Sequence, residues 1–177
     1  MDRKKTGFFL IDIVLAALLI VIDQLTKKYA VMYLKDNEPV NIIKDVLQLY
    51  YLPGGNKGAA FGILQGQRVF FLLITVIVVA AILFFLIRIP PVSKYRFLRV
   101  LLVFVAAGGL GNMIDRMSLN YVIDFIYIKI INFPIFNVAD MYVSCSIVLL
   151  AAYILFKLSE NDLKELSGYL KINGEKK

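Results

Sequence analysis

The chain of 177 residues contains no histidine and one cysteine, Cys145. Without histidine, a Ser-His-Asp or Cys-His relay has no general base, and catalysis of that kind is excluded. A single thiol cannot close an intrachain disulfide, and zinc centres built from His and Cys clusters are not to be expected. No metal site and no cofactor are expected. Cys145, between Ser144 and Ser146 in an apolar run, reads as a small core residue. Internal repeats, low-complexity tracts and any break that would mark a second domain are also missing.

Apolar residues are what the chain has in excess. Its hydrophobic share is 60% and its mean hydropathy +0.76, well beyond a soluble domain. The excess falls in four runs, at about residues 7–24, 69–87, 97–114 and 138–157. Each approaches the roughly 20 apolar residues that a helix needs to cross a bilayer. The first run follows MDRKK like a secretory signal, but no small-residue cleavage site follows it. It continues with helical spacing into DQLTKKYAVMYL, so retention as a membrane helix is expected.

A net charge of +7 suggests nucleic acid only until the cations are placed. They gather at Arg3-Lys4-Lys5, at Arg88, Lys94, Arg96 and Arg99, and in the tail, which are the alternate ends of four spans. By the positive-inside rule both termini are cytoplasmic, and no nucleic-acid partner is expected. The expected fold is mainly α and integral to the membrane, with four transmembrane helices. Outside them, DVLQLYYL and VIDFIYIKII are rich in β-branched and aromatic residues, and are expected to pair as a small sheet on the membrane surface. In the tail, 158–177, Ser159 stands as an N-cap with Asp162 three residues on. Leu163, Leu166 and Leu170 make one stripe, which predicts a short helix at the cytoplasmic interface.

This topology collects Asp23, Asp115, Asp124 and Asp140 at the outer face, beside Lys27 and Arg116. Asp12 falls near the cytoplasmic end of the first span and reads as interfacial. Charge inside a span is costly, and pairing lowers that cost. Asp23 has Lys27 one turn on, and Asp115 with Arg116 reads as a cap on the third helix. Arg116 and Lys27 serve either the fold or an anionic ligand. Asp124 and Asp140 have no cationic neighbour in sequence. Two such carboxylates raise each other's pKa and share a proton. One then activates a water while the other, protonated, polarises a carbonyl. Proton transport uses buried carboxylates too, and on composition the two readings stand level.

Five motifs separate them: DQLTK at Asp23–Lys27, NKGAAFG at Asn56–Gly62, GGLGNMIDR at Gly108–Arg116, VIDF at Val122–Phe125, and FNVAD at Phe136–Asp140. In this order and spacing, the chain resembles the lipoprotein signal peptidases, or signal peptidase II, from about Phe8 to Phe156. The resemblance implies one membrane peptidase domain with an extracytoplasmic β-rich cradle, and a catalytic pair at Asp124 and Asp140. It carries the family's substrate-binding polar residues over to Asp23, Lys27, Asn56, Asn112, Arg116 and Asn137. It implies a diacylglyceryl-modified prolipoprotein as substrate, cut just before the lipidated cysteine, and inhibition by cyclic peptides of the globomycin type. Membrane lipids are the surroundings, a bacterial cell membrane the location, and a monomer the expected state. The chain departs from the family pattern at Gly54-Gly55, before Asn56, where a basic or polar residue is usual. Asn112 and Asn137, which donate and accept together, are expected to orient the pair or bind substrate backbone, and read equally as a helix cap or interhelical hydrogen bond. A proton-coupled transporter would need a path to both faces and tends to have inverted repeats, which are not seen. A non-catalytic scaffold would use the polar groups only to join helices.

Overall fold

The computed structural model describes residues 3–58, 66–90 and 92–170, with side chains from Thr6 onward. The second half of NKGAAFG and the last cations of the tail therefore lie outside the described residues. Helix α1 spans Arg3–Tyr33, α2 Arg68–Arg88, α3 Arg96–Ser118 and α4 Val138–Phe156. All four are long and apolar enough to cross a membrane. α1 is longer than its apolar run, continuing through DQLTKKYAVMY. A last helix, α5, spans Glu160–Leu170.

The third helix is the middle of the bundle. α1, α2 and α4 all pack against it, and it is the most buried of the four, whereas the others present most of their apolar surface outward. Lipid tails are as apolar as leucine, so close backbone approach must supply the association. Gly108 and Gly111 permit it. A Cβ at Gly108 would stand 2.5 Å from the Ala139 carbonyl oxygen, and one at Gly111 would stand 2.5 Å from Asp23 Oδ2. Leu19, Ile82, Leu86, Val103, Ala106 and Ala107 fill the space between α1, α2 and α3.

At one end of the bundle the connections make a sheet. Strand β1 is Val40–Ile43, β2 Leu47–Leu49 and β3 Ile126–Ile128, antiparallel in that order. β2 meets β3 with Gln48 opposite Tyr127, which is the pairing expected of the two outer stretches; β1 joins as a third strand. The pairing runs on past the named strands. Tyr50 N donates to Phe125 O at 2.9 Å, Leu52 N to Asp124 O at 3.0 Å, and Asn56 and Val122 exchange backbone bonds at 2.9 and 2.8 Å. From the other side Phe136 O accepts from Phe125 N at 3.0 Å. The backbone around Asp124 is thus held from both sides.

Two readings from sequence change at the opposite end and on the lipid side. Asp12 is buried, not interfacial: it pairs with Arg99, which also donates to Leu86 O at 2.7 Å and Ile89 O at 3.1 Å. One guanidinium thereby closes the C-terminal carbonyls of α2 and neutralises an acid of α1. Cys145 is exposed on α4 and is not a core residue.

Candidate active site

α4 begins with a capping box. Asn137 Oδ1 accepts from Asp140 N at 3.0 Å, and Asp140 Oδ2 accepts from Asn137 N at 3.1 Å. Such a box satisfies free N–H groups of a first turn, and it fixes Asp140 there, at the positive end of the α4 dipole. The other end of the same asparagine turns to Asp124: Asn137 Nδ2 donates to Asp124 Oδ1 at 2.7 Å. One residue therefore touches both candidate carboxylates.

Two further amides complete the setting. Asn56 Nδ2 donates to Asp124 Oδ2 at 2.8 Å, and Asn112 Nδ2 donates to Asp140 Oδ1 at 2.8 Å. Each of the four carboxylate oxygens accepts one N–H. Every amide is prevented from turning over: Asn56 Oδ1 takes Gly58 N at 2.9 Å, and Asn137 Oδ1 takes the Asp140 N–H already described. Asn112 Oδ1 takes Lys27 Nζ at 2.8 Å and Asn137 Nδ2 at 3.0 Å. Donors alone face the aspartates.

Asp124 is 1% exposed. Burial, and then the charge of Asp140, push its carboxyl from the ordinary 3.8 up to about 7, while bonds from Asn56 and Asn137 and the charge of Lys27 pull the other way. Near neutral pH it is about half protonated, which is the condition for a group that both gives and takes a proton.

Beside this pair lies a second group of acids with a different balance. Lys27 stands 2.9 Å from Asp23 and 3.0 Å from Asp115, and all three are at most 3% exposed. With the bond to Asn112, its three N–H donors are spent. Asp23 also takes Ala139 N at 2.9 Å, binding α1 to the start of α4. Asp115 takes Ile123 N at 3.1 Å, holding the segment that leads into Asp124. Gln24, inside the DQLTK motif but not singled out from sequence, bridges Asp23 Oδ2 (3.2 Å), Gly111 O (3.1 Å) and Asp115 Oδ1 (3.0 Å).

The expected site residues thus divide. Asn56 and Asp140 line a cavity of about 440 Å³ with Phe133, Phe136, Met141 and Cys145. Asn112 and Asn137 hold the carboxylates, Asn137 at 0% exposure. Asp23 and Lys27, expected to meet substrate, are sealed inside, and an ammonium with no donor to spare cannot bind a further anion. Asp115, expected as a helix cap with Arg116, pairs with Lys27 instead. Arg116 donates to Gly58 O at 3.1 Å and lies 4.6 Å over the Phe71 ring, so it fastens α3 to α2 and to the loop after Asn56.

A carboxylate pair held by amides thus lies at one end of a four-helix membrane bundle, beside a mostly apolar cavity. The profile of Signal peptidase (SPase) II matches residues 15–156, and the chain belongs to that peptidase family. It is 42% identical over 132 residues to the lipoprotein signal peptidase of Streptococcus thermophilus, covering 75% of this chain and 84% of that one. To the lipoprotein signal peptidase of Clostridium novyi it is 37% identical over 139 residues, covering 77% and 91%. Two solved structures of a bacterial membrane enzyme, obtained by the in meso method at 1.9 and 2.3 Å resolution, are similar in fold. Their TM-scores are 0.70 and 0.68, both at 32% identity, and they cover 83% and 94% of this chain.

Proposed function

We propose that this chain is an aspartic endopeptidase that removes signal peptides from diacylglyceryl-modified prolipoproteins, cutting just before the lipidated cysteine. The observation that carries the reading is the one asparagine bound to both Asp124 and Asp140. It brings two carboxyls together, with no cation in ion-pair range of either among the described residues.

In this mechanism Asp124 holds the shared proton and Asp140 is ionised at the α4 N-terminus. A water between them loses a proton to Asp140 as its oxygen joins the carbonyl carbon. Asp124 gives its proton to the carbonyl oxygen, and a neutral tetrahedral diol forms. Asp140 then passes its proton to the amide nitrogen, Asp124 takes one back from a hydroxyl, and the C–N bond breaks. Protons balance, and the pair returns to its first state. The amides keep the carboxyls apart in role without neutralising them.

Access comes from the bilayer. The cavity beside Asp140 is walled by Phe133, Phe136 and Met141, and Cys145, exposed on α4, is also in its lining. A lipidated substrate enters there with its acyl chains still among lipid tails, in a bacterial cell membrane whose outer side faces the aspartates and whose inner side holds both termini. Cyclic peptides of the globomycin type compete for the same space. The chain acts as a monomer.

The test is cleavage of a diacylglyceryl-modified precursor by the purified protein in detergent or vesicles. Asp124→Asn and Asp140→Asn should each abolish cleavage while the protein stays folded. Turnover by either folded variant would remove that residue from the chemistry.

A further inference from the structure

The opposite end of the bundle holds a second cavity, of about 360 Å³, whose lining is apolar except for Ser167. Its walls come from the last turns of α2 and α4 and the first turns of α3, and its floor is α5. This helix lies beyond the residues that match the family profile. It is fastened at its start: Ser159 and Asp162 form a capping box, with bonds of 2.9 and 3.2 Å, and Lys94 pairs with Asp162 and with Glu165. Leu166 packs against Ile89, Tyr95 and Leu98, while Leu163 and Leu170 face the cavity with it.

Charge at this end says what fills the room. Asp162 and Glu165 are taken by Lys94, and Asp12 by Arg99. Arg96, Lys157 and Lys164 have no acid in ion-pair range among the described residues, and Lys157 and Lys164 are next in sequence to the lining residues Leu158 and Leu163 and are exposed. Glu160 is the one acid of α5 not so engaged. Residues 171–177 read KINGEKK, with Ile172 the one apolar side chain among them. An amphiphile with a long apolar tail and an anionic head fits both features, at the depth where helix ends meet a leaflet.

We propose that this cavity takes one acyl chain of an anionic phospholipid from the adjacent leaflet, its phosphate met by Lys157 and Lys164. The site does not depend on the chemistry proposed for the aspartates. Full-length protein, stripped of lipid in detergent, is titrated with phosphatidylglycerol or phosphatidylcholine, and retained lipid is counted by native mass spectrometry. One phosphatidylglycerol should be held per chain, with a preference over phosphatidylcholine of about 25-fold, about fivefold for each cation. Lys157→Gln with Lys164→Gln, both exposed, should erase the preference without altering helicity. Ser167→Trp, which fills the room, should release the lipid. Equal retention of the two lipids, or a preference that survives the double variant, would overturn the proposal. So would phosphatidylglycerol held unchanged by folded Ser167→Trp, since it then sits elsewhere on the bundle surface.

Discussion

Two groups of aspartates lie side by side at one end of this bundle and differ in what surrounds them. Asp23 and Asp115 share the ammonium of Lys27 between them. Asp124 and Asp140 receive amide N–H groups from Asn56, Asn112 and Asn137 and meet no cation in ion-pair range among the described residues. Lys27 stands within 3.0 Å of both its acids. An amide supports a carboxylate but leaves its proton free to come and go. Both groups are built on aspartates; the partners differ, and on the proposed mechanism only the amide-held pair reacts.

The sharpest way to break this contrast is to remove one carboxyl from the amide-held pair. Asp140→Asn or Asp124→Asn should lower cleavage by about 10³-fold or more, in line with the loss of a general acid or base. Thermal unfolding in detergent should still be cooperative. If the variants were equally inactive and unfolded, the two groups would not differ in kind.

Lys27→Met tests the other group. It leaves Asp23 and Asp115 buried without their cation, which should cost about 3–5 kcal/mol of stability, read as a lower unfolding midpoint. The double change Lys27→Met with Asp115→Asn should recover part of that loss. A stable single variant would mean that the ion cluster is not structural.

Gly111→Ala pushes a methyl to within 2.5 Å of Asp23 Oδ2. About 1–3 kcal/mol of destabilisation should follow, typical of overpacking, again seen in unfolding. A serine in place of alanine should do no better, because the clash is with the Cβ itself.

The pH profile separates the groups without mutation. Asp124 is raised to about 7, so the proton it holds is lost as pH climbs through that value. Cleavage should fall above about pH 7, by up to tenfold per unit. Stability follows the same sign: between about pH 4 and 7 the folded state binds more protons than the unfolded chain, so stability declines as pH rises over that window. The contribution of Asp162 runs oppositely. Lys94 and the Ser159 cap hold its carboxyl at about 2, so its help is complete above about pH 4 and fades as pH drops toward 2. Ser159→Ala should cost α5 about 1 kcal/mol, the smallest effect here, visible as faster amide exchange at residues 160–163.

Much of this was legible in the chain. The four spans follow from run length, the β2–β3 pairing from β-branched stretches, and the α5 cap from Ser159 and Asp162. The pair Asp23–Lys27 is one helical turn apart and could be read directly. What sequence could not supply was the third partner. Asp115 lies 88 positions from Lys27, and only the approach of α1 to α3 across Gly111 brings them together. For that reason Lys27 looked available for a ligand, Gln24 went unremarked, and Asp115 was given to its neighbour Arg116. Asp12 was misplaced likewise, because Arg99 reaches it from another helix. Cys145 failed for a different reason: in a membrane bundle an apolar neighbourhood does not mean an interior position, since lipid is apolar as well.

Asn137 joins two events that most enzymes keep separate. The same side chain starts a helix and touches both acids, so α4 cannot fray by a residue without loosening one hold on each of them. On the proposed mechanism, a hydrolase built this way works only once α4 is wound. A half-wound copy, newly inserted among unfolded neighbours in the bilayer, has no working blade with which to cut them.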